Sequence, residues 1–451
     1  MPARPIIIGG GIAGLAAAYE FERAGTRALV VEQRGTLGGV IRTEEVEGCR
    51  LEAGPDSFLA AKPAGFELIR EIGLGDDVIG SNDHQRVTYL VRRNRLIPMP
   101  DGLMMMVPTK VLPVVASPLL SWGTKIRMGM DYFRKPPAAP LPDRTVAEFI
   151  REHYGQETVD YLAEPLLSGV YGGTADALSV NSVLPRFVEL ERKYGSLTRG
   201  VLEARKLRGG GESGPLFRTL KGGLQQLVDR LAPSADPLYR RAEALEKTAG
   251  GYRVRAGGEW METERLVIAT PAWAAGELLR GVDGEMAADL ESIPYSSSIT
   301  LALVYDEQAC GPIPPGFGFL VPRPERKSLV ACTFVGAKFN HRVAPGKVVL
   351  RCFLGGAGNE AVLDRSDDEI VSAVQDELET LLGWRAEPAA VRLARWRKAM
   401  AQYTVGHSQR VARIQERLKA LPGLALAGNA YDGIGIPDCI RLGRQAARGL
   451  L

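Results

Sequence analysis

The beginning of the chain shows the clearest pattern of apolar and polar positions. Pro5–Ile8 is a short apolar run that predicts a buried strand, and the alanine-rich stretch Ile12–Arg23 predicts a helix. Ala28–Val31 predicts a second buried strand, which ends at Glu32. A strand, a helix and a strand in this order predict a βαβ unit, in which the two strands lie parallel.

Later segments predict elements of both kinds, separated by polar and proline-rich loops. FELIREIGL predicts an amphipathic helix that ends at Gly73, and the pattern from about 102 to 206 is mainly helical. The remaining predictions are a helix at 219–232, strands at 252–271 and 295–355, a helix at 367–382 and a final helix from Pro437. Because LVIATP is another buried-strand pattern, the first domain is predicted to be discontinuous, returning at about 215–290 and near 410–451.

The turn between the first strand and its helix contains the pattern Gly9-x-Gly11-x-x-Gly14. Gly9 allows the tight turn, Gly11 lets the backbone approach a pyrophosphate, and Gly14 lets helix and strand pack closely. The helix N-terminus then faces the phosphates, and the Glu32 carboxylate accepts hydrogen bonds from a ribose diol. The pattern therefore predicts a dinucleotide site.

A second glycine pair favours FAD over NAD as the dinucleotide. Gly38 and Gly39 follow the acidic residue, with Arg42 just beyond, and they suggest a further loop lying along a long cofactor. Another GxGxxG match, in KLRGGGESGP at 206–215, has no strand before it and ends in a proline, so we interpret it as a flexible loop. One dinucleotide site is expected, with no separate NAD(P)H domain.

Composition and charge exclude several other functions. The net charge of +3 and the absence of basic runs argue against nucleic acid binding. The five cysteines are scattered and unpaired in sequence, as is typical of reduced thiols in a cytosol, and the four histidines lack metal-ligand spacing. No hydrolase, phosphate-loop or zinc-protease motif is present, so the flavin is expected to carry the chemistry.

The most apolar stretch of the chain, GLMMMVPTKVLPVVASPLLSW at 102–122, has two interpretations. Lys110 and three prolines interrupt it, so it does not predict a transmembrane helix, and the first strand begins too early for a signal peptide to precede it. It is either an ordinary apolar helical subdomain or a surface that contacts a membrane or opens a tunnel for an apolar substrate.

Several segments together resemble one family. They are LEAGPDSFLAAKP at 51–63, EPLLSGVYGG at 164–173, TLKGGLQQLV at 219–228 and AGNAYDGIGIPDCI at 427–440. With the glycine motif, they make the chain similar to the bacterial protoporphyrinogen IX / coproporphyrinogen III oxidases of haem biosynthesis, within the FAD-dependent amine-oxidase-like superfamily. The resemblance extends over nearly the whole chain.

The resemblance implies an α/β fold, α+β overall, with a Rossmann-like FAD-binding domain that is discontinuous, a mixed-sheet substrate domain and a helical subdomain. The predicted ranges are 1–80, 211–290 and 409–451 for the FAD domain, 81–101 and 291–408 for the substrate domain, and 102–210 for the helical subdomain. In this family the helical part is associated with membrane contact or substrate access.

The implied reaction removes six electrons from a porphyrinogen in three flavin cycles, each returning electrons to O2 and giving H2O2. The implied partners are the porphyrinogen, O2, a peripheral membrane contact of a cytoplasmic protein and a ferrochelatase that receives the product. Neither a nucleic acid nor a metal is expected, and the oligomeric state stays open. Coproporphyrinogen III and protoporphyrinogen IX also stay open as substrates, because Arg92, Arg93, Arg95, Lys125 and Arg127 are either cations for extra propionates or a solvated face.

The resemblance also implies five substrate-binding residues. Arg86 matches an arginine that pairs with a substrate propionate, for which its bidentate fork is suited, although a solvated surface arginine is the plain alternative. Phe317, Gly318 and Leu320 match an apolar face that holds the macrocycle, and Phe353 stands where some relatives carry methionine. Ordinary core packing is the alternative for these four, and Phe353 leaves the cavity's shape open.

The expected cofactor site combines both ends of the chain. Backbone amides near Gly433 and Gly435 are expected against the cofactor, and the positive end of the last helix is expected to face the flavin edge where charge develops on reduction. No catalytic side chain is assigned: Asp56 is a candidate proton acceptor, but a turn-forming role fits it equally. The predicted cofactor residues are Gly9, Gly11, Ile12, Ala13, Gly14, Glu32, Gly38, Gly39, Arg42, Gly54, Pro55, Asp56, Ser57, Thr270, Gly428, Gly435, Ile436 and Pro437.

Two other classes of function share the FAD motifs. One is a flavin oxidase acting on an amine, phytoene or a similar apolar substrate, although no aromatic cage for an amine is evident in the sequence. The other is a non-catalytic flavoprotein, or a dehydrogenase that passes electrons to a partner acceptor such as a quinone. Peroxide formation with a porphyrinogen under air separates both from a porphyrinogen oxidase.

Overall fold

The structure is a computed structural model that describes residues 4–208 and 214–451. Its strands are, in chain order, β1 (Ile6–Ile8), β2 (Ala28–Glu32), β3 (Thr43–Val46), β4 (Cys49–Glu52), β5 (Phe58–Leu59), β6 (Val78–Gly80), β7 (Thr88–Arg92), β8 (Arg95–Pro98), β9 (Leu103–Met104), β10 (Val107–Pro108), β11 (Phe217–Leu220), β12 (Ala235–Tyr239), β13 (Ala242–Thr248), β14 (Gly251–Ala256), β15 (Glu259–Thr263), β16 (Leu266–Ile268), β17 (Tyr295–Asp306), β18 (Gly318–Leu320), β19 (Leu329–Phe334), β20 (Lys347–Gly355), β21 (Ala390–Ala401) and β22 (Leu424–Leu426).

The helices are α1 (Ile12–Arg23), α2 (Pro63–Glu71), α3 (Val111–Ala116), α4 (Trp122–Met130), α5 (Val146–Tyr154), α6 (Gln156–Thr158), α7 (Glu164–Tyr171), α8 (Val180–Val183), α9 (Pro185–Tyr194), α10 (Leu197–Arg208), α11 (Gln225–Leu231), α12 (Ala272–Leu279), α13 (Gly284–Glu291), α14 (Val335–Lys338), α15 (Asp367–Leu382), α16 (His407–Leu418) and α17 (Ile436–Arg448). A π-helical segment, Val159–Ala163, connects α6 to α7. The α/β fold class with several sheets is confirmed, whereas the six domain boundaries stay a prediction.

A parallel sheet collects strands from distant parts of the chain. Its order is β12-β2-β1-β16-β22, so β1 lies at its centre, with Ile7 opposite Val30 on one side and Val267 on the other. Strands of such a sheet are buried on both faces, which explains their unbroken apolar runs. The central position of β1 brings the first glycine turn beside the ends of β16 and β22.

Helix α17 packs directly against α1 in the domain that contains the parallel sheet. A Cβ atom at Gly443 would lie 2.0 Å from the Ala13 carbonyl oxygen, so the two helices approach as closely as their backbones allow. The last helix therefore completes the domain that the first βαβ unit begins.

A second, mixed sheet has the order β21-β17-β20-β19-β18-β7-β8. Leu301, Leu350 and Cys352 on one of its faces belong to an apolar core with Ile370 and Val374 of α15. Successive side chains of a strand point to opposite faces, so Thr300, Arg351 and Phe353, which alternate with these core positions, lie on the other face. That face is turned away from α15.

The helical segment between β10 and β11 has its own buried polar centre. His153 Nδ1 lies 2.5 Å from Asp131 Oδ1 and His153 Nε2 lies 3.1 Å from Glu191 Oε1. Arg144 in turn donates to Glu191 Oε1 at 2.7 Å. Burial alone would lower the pKa of His153, but its two carboxylate partners outweigh burial and raise it above the ordinary value. The imidazolium therefore links α5 to α9 and to the end of α4.

Three predictions about local structure need correction. The segment at 219–232 begins at the end of strand β11, because Thr219 and Leu220 pair antiparallel with β6, and its helix starts only at Gln225. The start of the region expected to be helical forms the short hairpin β9–β10. The strand β21, which pairs along most of β17, has no counterpart among the predictions.

Two further predictions concern the second glycine motif and the absence of a membrane-spanning helix. The second GxGxxG match at 209–214 falls mostly outside the described residues. Within the residues that the structure describes, no helix is both long enough and apolar enough to cross a membrane.

Candidate cofactor and substrate site

The three glycines of the first turn have two different roles. Gly9 has φ +106°, and a Cβ atom there would lie 2.6 Å from the Ala269 carbonyl oxygen, while one at Gly14 would lie 1.9 Å from the Gly9 carbonyl oxygen. These two glycines are required by the protein's own packing. Gly11 differs, because a Cβ atom built there meets no protein atom within 4 Å. The space beside Gly11 is the open cradle expected for a pyrophosphate.

Helix α1 begins at this cradle with its amide groups available. Gly11 is the residue before the helix, and no side chain of the described residues caps the first turn or places an acidic group there. Ile12 and Ala13 therefore offer backbone N–H groups at the positive end of the helix, which is the arrangement that binds phosphate oxygens.

Glu32 lies at the end of β2 in the position expected for a ribose ligand. Its Oε2 accepts a hydrogen bond from the Gly10 N–H at 2.7 Å and its Oε1 accepts one from the Arg34 N–H at 2.8 Å. Each carboxylate oxygen retains a second acceptor position. The backbone thus fixes the carboxylate, which can still accept from a diol.

The second glycine pair lies directly on the first turn. The Gly38 N–H donates to the Gly10 carbonyl at 2.8 Å, and both Gly38 and Gly39 have positive φ, +105° and +64°. A Cβ atom at Gly39 would lie 3.2 Å from the Gly11 Cα, so any larger residue would narrow the cradle. Arg42 points outward, with Nη2 at 2.8 Å from Glu44 Oε1, and is half exposed.

The segment Gly54–Phe58, which we call the GPDSF loop, is held through its carbonyl groups by the mixed sheet. Arg351 donates to the Gly54 carbonyl, and Trp396 Nε1 donates to the Ala53 carbonyl at 2.8 Å. A Cβ atom at Gly54 would lie 1.8 Å from the Val40 carbonyl oxygen. Pro55 follows, partly exposed, so this loop joins the cofactor cradle to β20 and β21.

Asp56 is the centre of a buried charge cluster. Lys338 Nζ lies 2.9 Å from its Oδ2, Arg351 Nη1 lies 3.6 Å from the same oxygen, and the Ser57 hydroxyl donates to its Oδ1 at 2.6 Å. Burial alone would raise the pKa of Asp56, but the charges of Lys338, Arg351 and Arg342 outweigh it and hold that pKa well below the ordinary value. An ionised, ion-paired Asp56 cannot readily take a proton, so a structural role in this charge cluster is better supported than the role of proton acceptor.

The C-terminal glycine segment Gly428–Gly435, which we call the glycine loop, starts where β22 ends. Gly428 has φ +130° and lies next to Thr270, which follows the parallel strand β16. The carboxyl ends of β1, β16 and β22 thus meet at one edge of the sheet, which is where open α/β sheets bind ligands. Within this loop, Gly433 carries the strict requirement: a Cβ atom there would lie 2.3 Å from Asp438 Cγ.

Two expectations for the last helix need correction. Helix α17 begins at Ile436, one residue before Pro437, and its first turn is capped by Asp438, whose Oδ2 accepts from the Gly435 N–H at 3.2 Å. The Gly433 N–H donates to the Tyr403 hydroxyl at 2.9 Å, so the two amides expected against the cofactor are both used within the protein. Gly435 itself has an ordinary φ of −77°.

The substrate candidates lie on and beside the open face of the mixed sheet. Leu320 is opposite Ala331, which is itself opposite Phe353, so the register brings these two apolar side chains to one face. Gly318 is required by packing, since a Cβ atom there would lie 2.0 Å from the Cys332 carbonyl oxygen. Phe317 is buried just before β18, and the half-exposed Arg86 lies just before β7, with Nη1 3.6 Å from Asp83 Oδ2.

Sequence reasoning missed a segment that contacts several parts of this site. Gln402, Tyr403 and Gly406, in the stretch AQYTVGH, lie between β21 and α16 and bond to the glycine loop, to the helical segment and to β17. The only signal in the sequence is a tyrosine and a histidine four residues apart, on either side of a glycine. Lys338 and Arg351 were missed as well, because nothing near them in sequence indicates their partner Asp56.

The cradle beside Gly11, the uncapped start of α1 and the convergence of three strand ends define the class of protein: one that binds a dinucleotide through a discontinuous Rossmann-like domain. The chain belongs to the family of flavin-containing amine oxidoreductases, whose model matches residues 12–451. FAD is accordingly its cofactor, as the sequence predicted, and the protein is an FAD-dependent oxidoreductase.

Individual relatives indicate a more specific group within this family. The chain is 33% identical to a coproporphyrinogen III oxidase of Bacillus subtilis (strain 168), covering 99% of this chain and 97% of that protein. It is 34% identical to a coproporphyrinogen III oxidase of Propionibacterium freudenreichii subsp. freudenreichii, covering 98% and 89%. A crystal structure from Exiguobacterium sp. 255-15, provisionally described as a protoporphyrinogen oxidase, matches with a TM-score of 0.90 and 33% identity, covering 100% and 99%. The expected resemblance to porphyrinogen oxidases is confirmed.

Proposed function

We propose that this protein is an FAD-dependent porphyrinogen oxidase of haem biosynthesis, with coproporphyrinogen III as its substrate. The observation that carries the proposal is the apolar sheet face of Leu320 and Phe353, which the GPDSF loop joins to the cofactor cradle, with the half-exposed Arg86 just before β7, the strand next to β18. A flat apolar macrocycle with carboxylates at its edge is complementary to such a face. The two relatives that carry the name coproporphyrinogen III oxidase favour this porphyrinogen.

When bound, FAD supplies the acceptor for a hydride from a methylene bridge of the macrocycle. The chain's own contribution is then to position both molecules, since Asp56, the candidate proton acceptor, is held ionised in its charge cluster. Arg351 holds the GPDSF loop from the sheet side, and the same strand, β20, carries Phe353. One rigid strand therefore positions the cofactor loop and the substrate wall together, which favours catalysis by orientation.

Arg86 is the cation that we assign to a substrate propionate. Its only ion-pair contact among the described residues is the long one to Asp83, and half of its side chain is exposed. Arg92, by contrast, is paired with Glu157 at 2.8 Å, and Lys125 donates to the Val115 and Ser117 carbonyls at 2.8 Å. Arg86 therefore has the most free bonding capacity of these three for a new carboxylate.

The experiment is an aerobic assay on coproporphyrinogen III and protoporphyrinogen IX, following porphyrin fluorescence and H2O2 together. We expect faster turnover of coproporphyrinogen III, with peroxide formed in step with porphyrin, and O2 as the acceptor. Arg86→Ala should raise KM for the porphyrinogen about tenfold with little change in kcat, because it removes uniform binding. Arg385→Ala, at an exposed arginine just after α15, is the control. Oxidation without peroxide would instead favour a dehydrogenase, and equal rates would refute the substrate preference.

We also propose that the cytoplasmic protein docks on an anionic lipid surface through an apolar patch on the helical segment. The patch consists of Val111, Leu112, Trp122, Ile126, Met130 and Phe133, of which Leu112 and Phe133 are 80% and 78% exposed. Exposed apolar groups of this size mark interaction sites. Lys125, Arg127 and Arg134 lie among them and donate to backbone carbonyls rather than carboxylates, which leaves their charges for an anionic partner.

Delivery of the porphyrin product to a ferrochelatase belongs to the same proposal. The product is a flat macrocycle whose apolar ring is unfavourable in water despite its propionates, so a direct transfer is the expected route. A ferrochelatase added in the assay should then convert the porphyrin faster when it is produced by this enzyme than when the same amount is added free. Equal rates would argue for release into solution.

A further inference from the structure

The segment Gln402–Gly406, which we call the junction segment, connects three parts of the molecule. The Gln402 side chain donates to the Tyr171 carbonyl of α7 at 2.8 Å and to the Ser296 hydroxyl of β17 at 3.0 Å. The Tyr403 carbonyl accepts from the Ser179 N–H at 2.8 Å. The junction segment is therefore fixed to the helical segment and to the mixed sheet through its own backbone and side chains.

The Tyr403 side chain extends from this fixed segment to the glycine loop. Its hydroxyl donates to the Asn429 carbonyl at 2.9 Å and accepts from the Gly433 N–H at 2.9 Å. The two bonded residues lie on either side of Ala430–Asp432, so one oxygen atom bridges the two ends of the loop. The hydroxyl is buried, and burial raises the pKa of Tyr403, so it stays protonated and can donate.

The Tyr403 ring is itself supported. His407 is stacked on it with the ring centroids 3.9 Å apart and an angle of 12° between the planes. Burial lowers the pKa of His407 to about 4, so the stacked imidazole is neutral at physiological pH. The position of the hydroxyl is thus determined by a packed ring and a fixed backbone, not by a free rotamer.

The glycine loop needs such support from outside. Gly428 and Gly433 have φ values of +130° and +102°, which glycine reaches without strain, but glycine also has many other conformations in a free loop. Since two bonds to one hydroxyl connect the loop's ends, they select the conformation that the structure shows. Removing the oxygen would leave a half-buried N–H and a half-buried carbonyl without this partner.

We propose that Tyr403 is a positioning residue: its hydroxyl holds the glycine loop in the shape that binds FAD. This inference rests on the proposed function only in placing the glycine loop against the cofactor. The role concerns cofactor binding and does not require Tyr403 to touch FAD or the substrate.

Tyr252 on β14 provides a matched control outside the glycine loop. It is also a buried tyrosine, and its hydroxyl donates to the Pro422 carbonyl at 3.0 Å. Tyr252→Phe and Tyr403→Phe therefore both remove a tyrosine hydroxyl that bonds to backbone, and only the second removes bonds to the glycine loop. A general disturbance of the core would affect both variants alike.

The test compares FAD binding in the wild type, Tyr403→Phe and Tyr252→Phe, using flavin fluorescence titration of the apoproteins and the midpoint potential of the bound flavin. We expect Tyr403→Phe to weaken FAD binding about tenfold and to shift the potential, while Tyr252→Phe stays within about twofold of the wild type. Hydrogen exchange of the peptide 428–436 should accelerate in Tyr403→Phe alone, even without FAD.

Two results would overturn the role of Tyr403 alone: unchanged FAD binding, potential and exchange in Tyr403→Phe, or equal losses in both variants. The exchange measurement reports on the apoprotein, so it remains decisive if Tyr403→Phe binds no FAD at all. A wild-type protein that does not bind FAD would contradict the cofactor assignment itself, and with it this proposal.

Discussion

Asp56 and Lys338 form a buried ion pair between the GPDSF loop and the end of α14, with Lys338 Nζ 2.9 Å from Asp56 Oδ2. Only 15% of the Asp56 side chain and 12% of the Lys338 side chain are exposed. The pair joins a loop beside the cofactor cradle to a helix that follows β19 of the mixed sheet. The relative position of cradle and substrate face therefore depends on a contact between charges.

Asp56→Asn should destabilise the protein by about 3 kcal/mol, because breaking one partner of a buried pair leaves the other charge uncompensated. Lys338 and Arg351 would then face an uncharged amide. Thermal unfolding and flavin content of the purified protein measure the effect, and both should fall. Asp101→Asn, which removes the surface pair with Lys110, should cost less than about 1 kcal/mol. Equal stability of the two variants would show that the buried pair has no special role.

The glycines of the first turn give a sharper test of the cofactor cradle. Gly11→Ala should leave the apoprotein's thermal midpoint almost unchanged, since its Cβ atom meets no protein atom within 4 Å, but should weaken FAD binding. Gly14→Ala should destabilise even the apoprotein, since its Cβ atom would lie 1.9 Å from the Gly9 carbonyl oxygen. Calorimetry without FAD, followed by FAD titration, separates the two. A Gly11→Ala variant that binds FAD normally would place the pyrophosphate elsewhere.

Much of this site could be predicted because its signals are local. The turn at Gly9–Gly14 needs only a few neighbouring residues to be recognised, and helix α15 matches its predicted range because Ser366 and Glu369 cap its start and Gly383 ends it. The edge strand β12, ADPLY, has no such pattern, but the strands β1, β2 and β16 of the parallel sheet are evident as apolar runs. Such features depend on short stretches of chain.

What could not be predicted depends on contacts between distant residues. Lys338 and Asp56 are separated by 282 positions, and Tyr403 and Gly433 by 30, so no local pattern connects them. The start of 219–232 is a strand because Thr219 and Leu220 pair with β6, and tertiary pairing of this kind overrides a helical pattern. The partner of the Gly433 amide, the Tyr403 hydroxyl, is likewise evident only in the folded structure.

The buried imidazole of His153 predicts a loss of stability at alkaline pH. Its pKa is raised above 6.5 in the folded state, so its stabilisation is fully present below pH 6.5 and is lost as the pH rises through the folded value. The groups facing it are the carboxylates Asp131 and Glu191, which raise its pKa, and Arg134, which lowers it. We expect the thermal midpoint to fall as the pH rises above 6.5.

His153→Gln should remove this pH dependence and lower the midpoint already at pH 6, because Asp131 and Glu191 would lose their cationic partner. His84→Gln, at an exposed position, should behave like the wild type. Differential scanning calorimetry from pH 6 to pH 9 makes the comparison. If the wild-type midpoint is flat over this range, His153 is not a buried imidazolium.

The apolar patch predicts binding to anionic vesicles. Leu112→Ser with Phe133→Ser should weaken co-sedimentation with phosphatidylglycerol-rich vesicles about tenfold or more, since inserting an apolar side chain of this size contributes about 1.5–3 kcal/mol. Trp260→Ser changes an exposed aromatic side chain on β15, outside the helical segment, and this variant should bind the vesicles as the wild type does. Porphyrinogen turnover in detergent-free solution should stay the same in both variants, because neither set of residues lies on the sheet face of Leu320 and Phe353.

The charge of the lipid should matter as well. Pure phosphatidylcholine vesicles should bind the wild type less than anionic ones, because Lys125, Arg127 and Arg134 donate to backbone carbonyls and form no ion pair with a carboxylate of the described residues. Equal binding of wild type and double variant would mean that this patch faces a protein or the solvent.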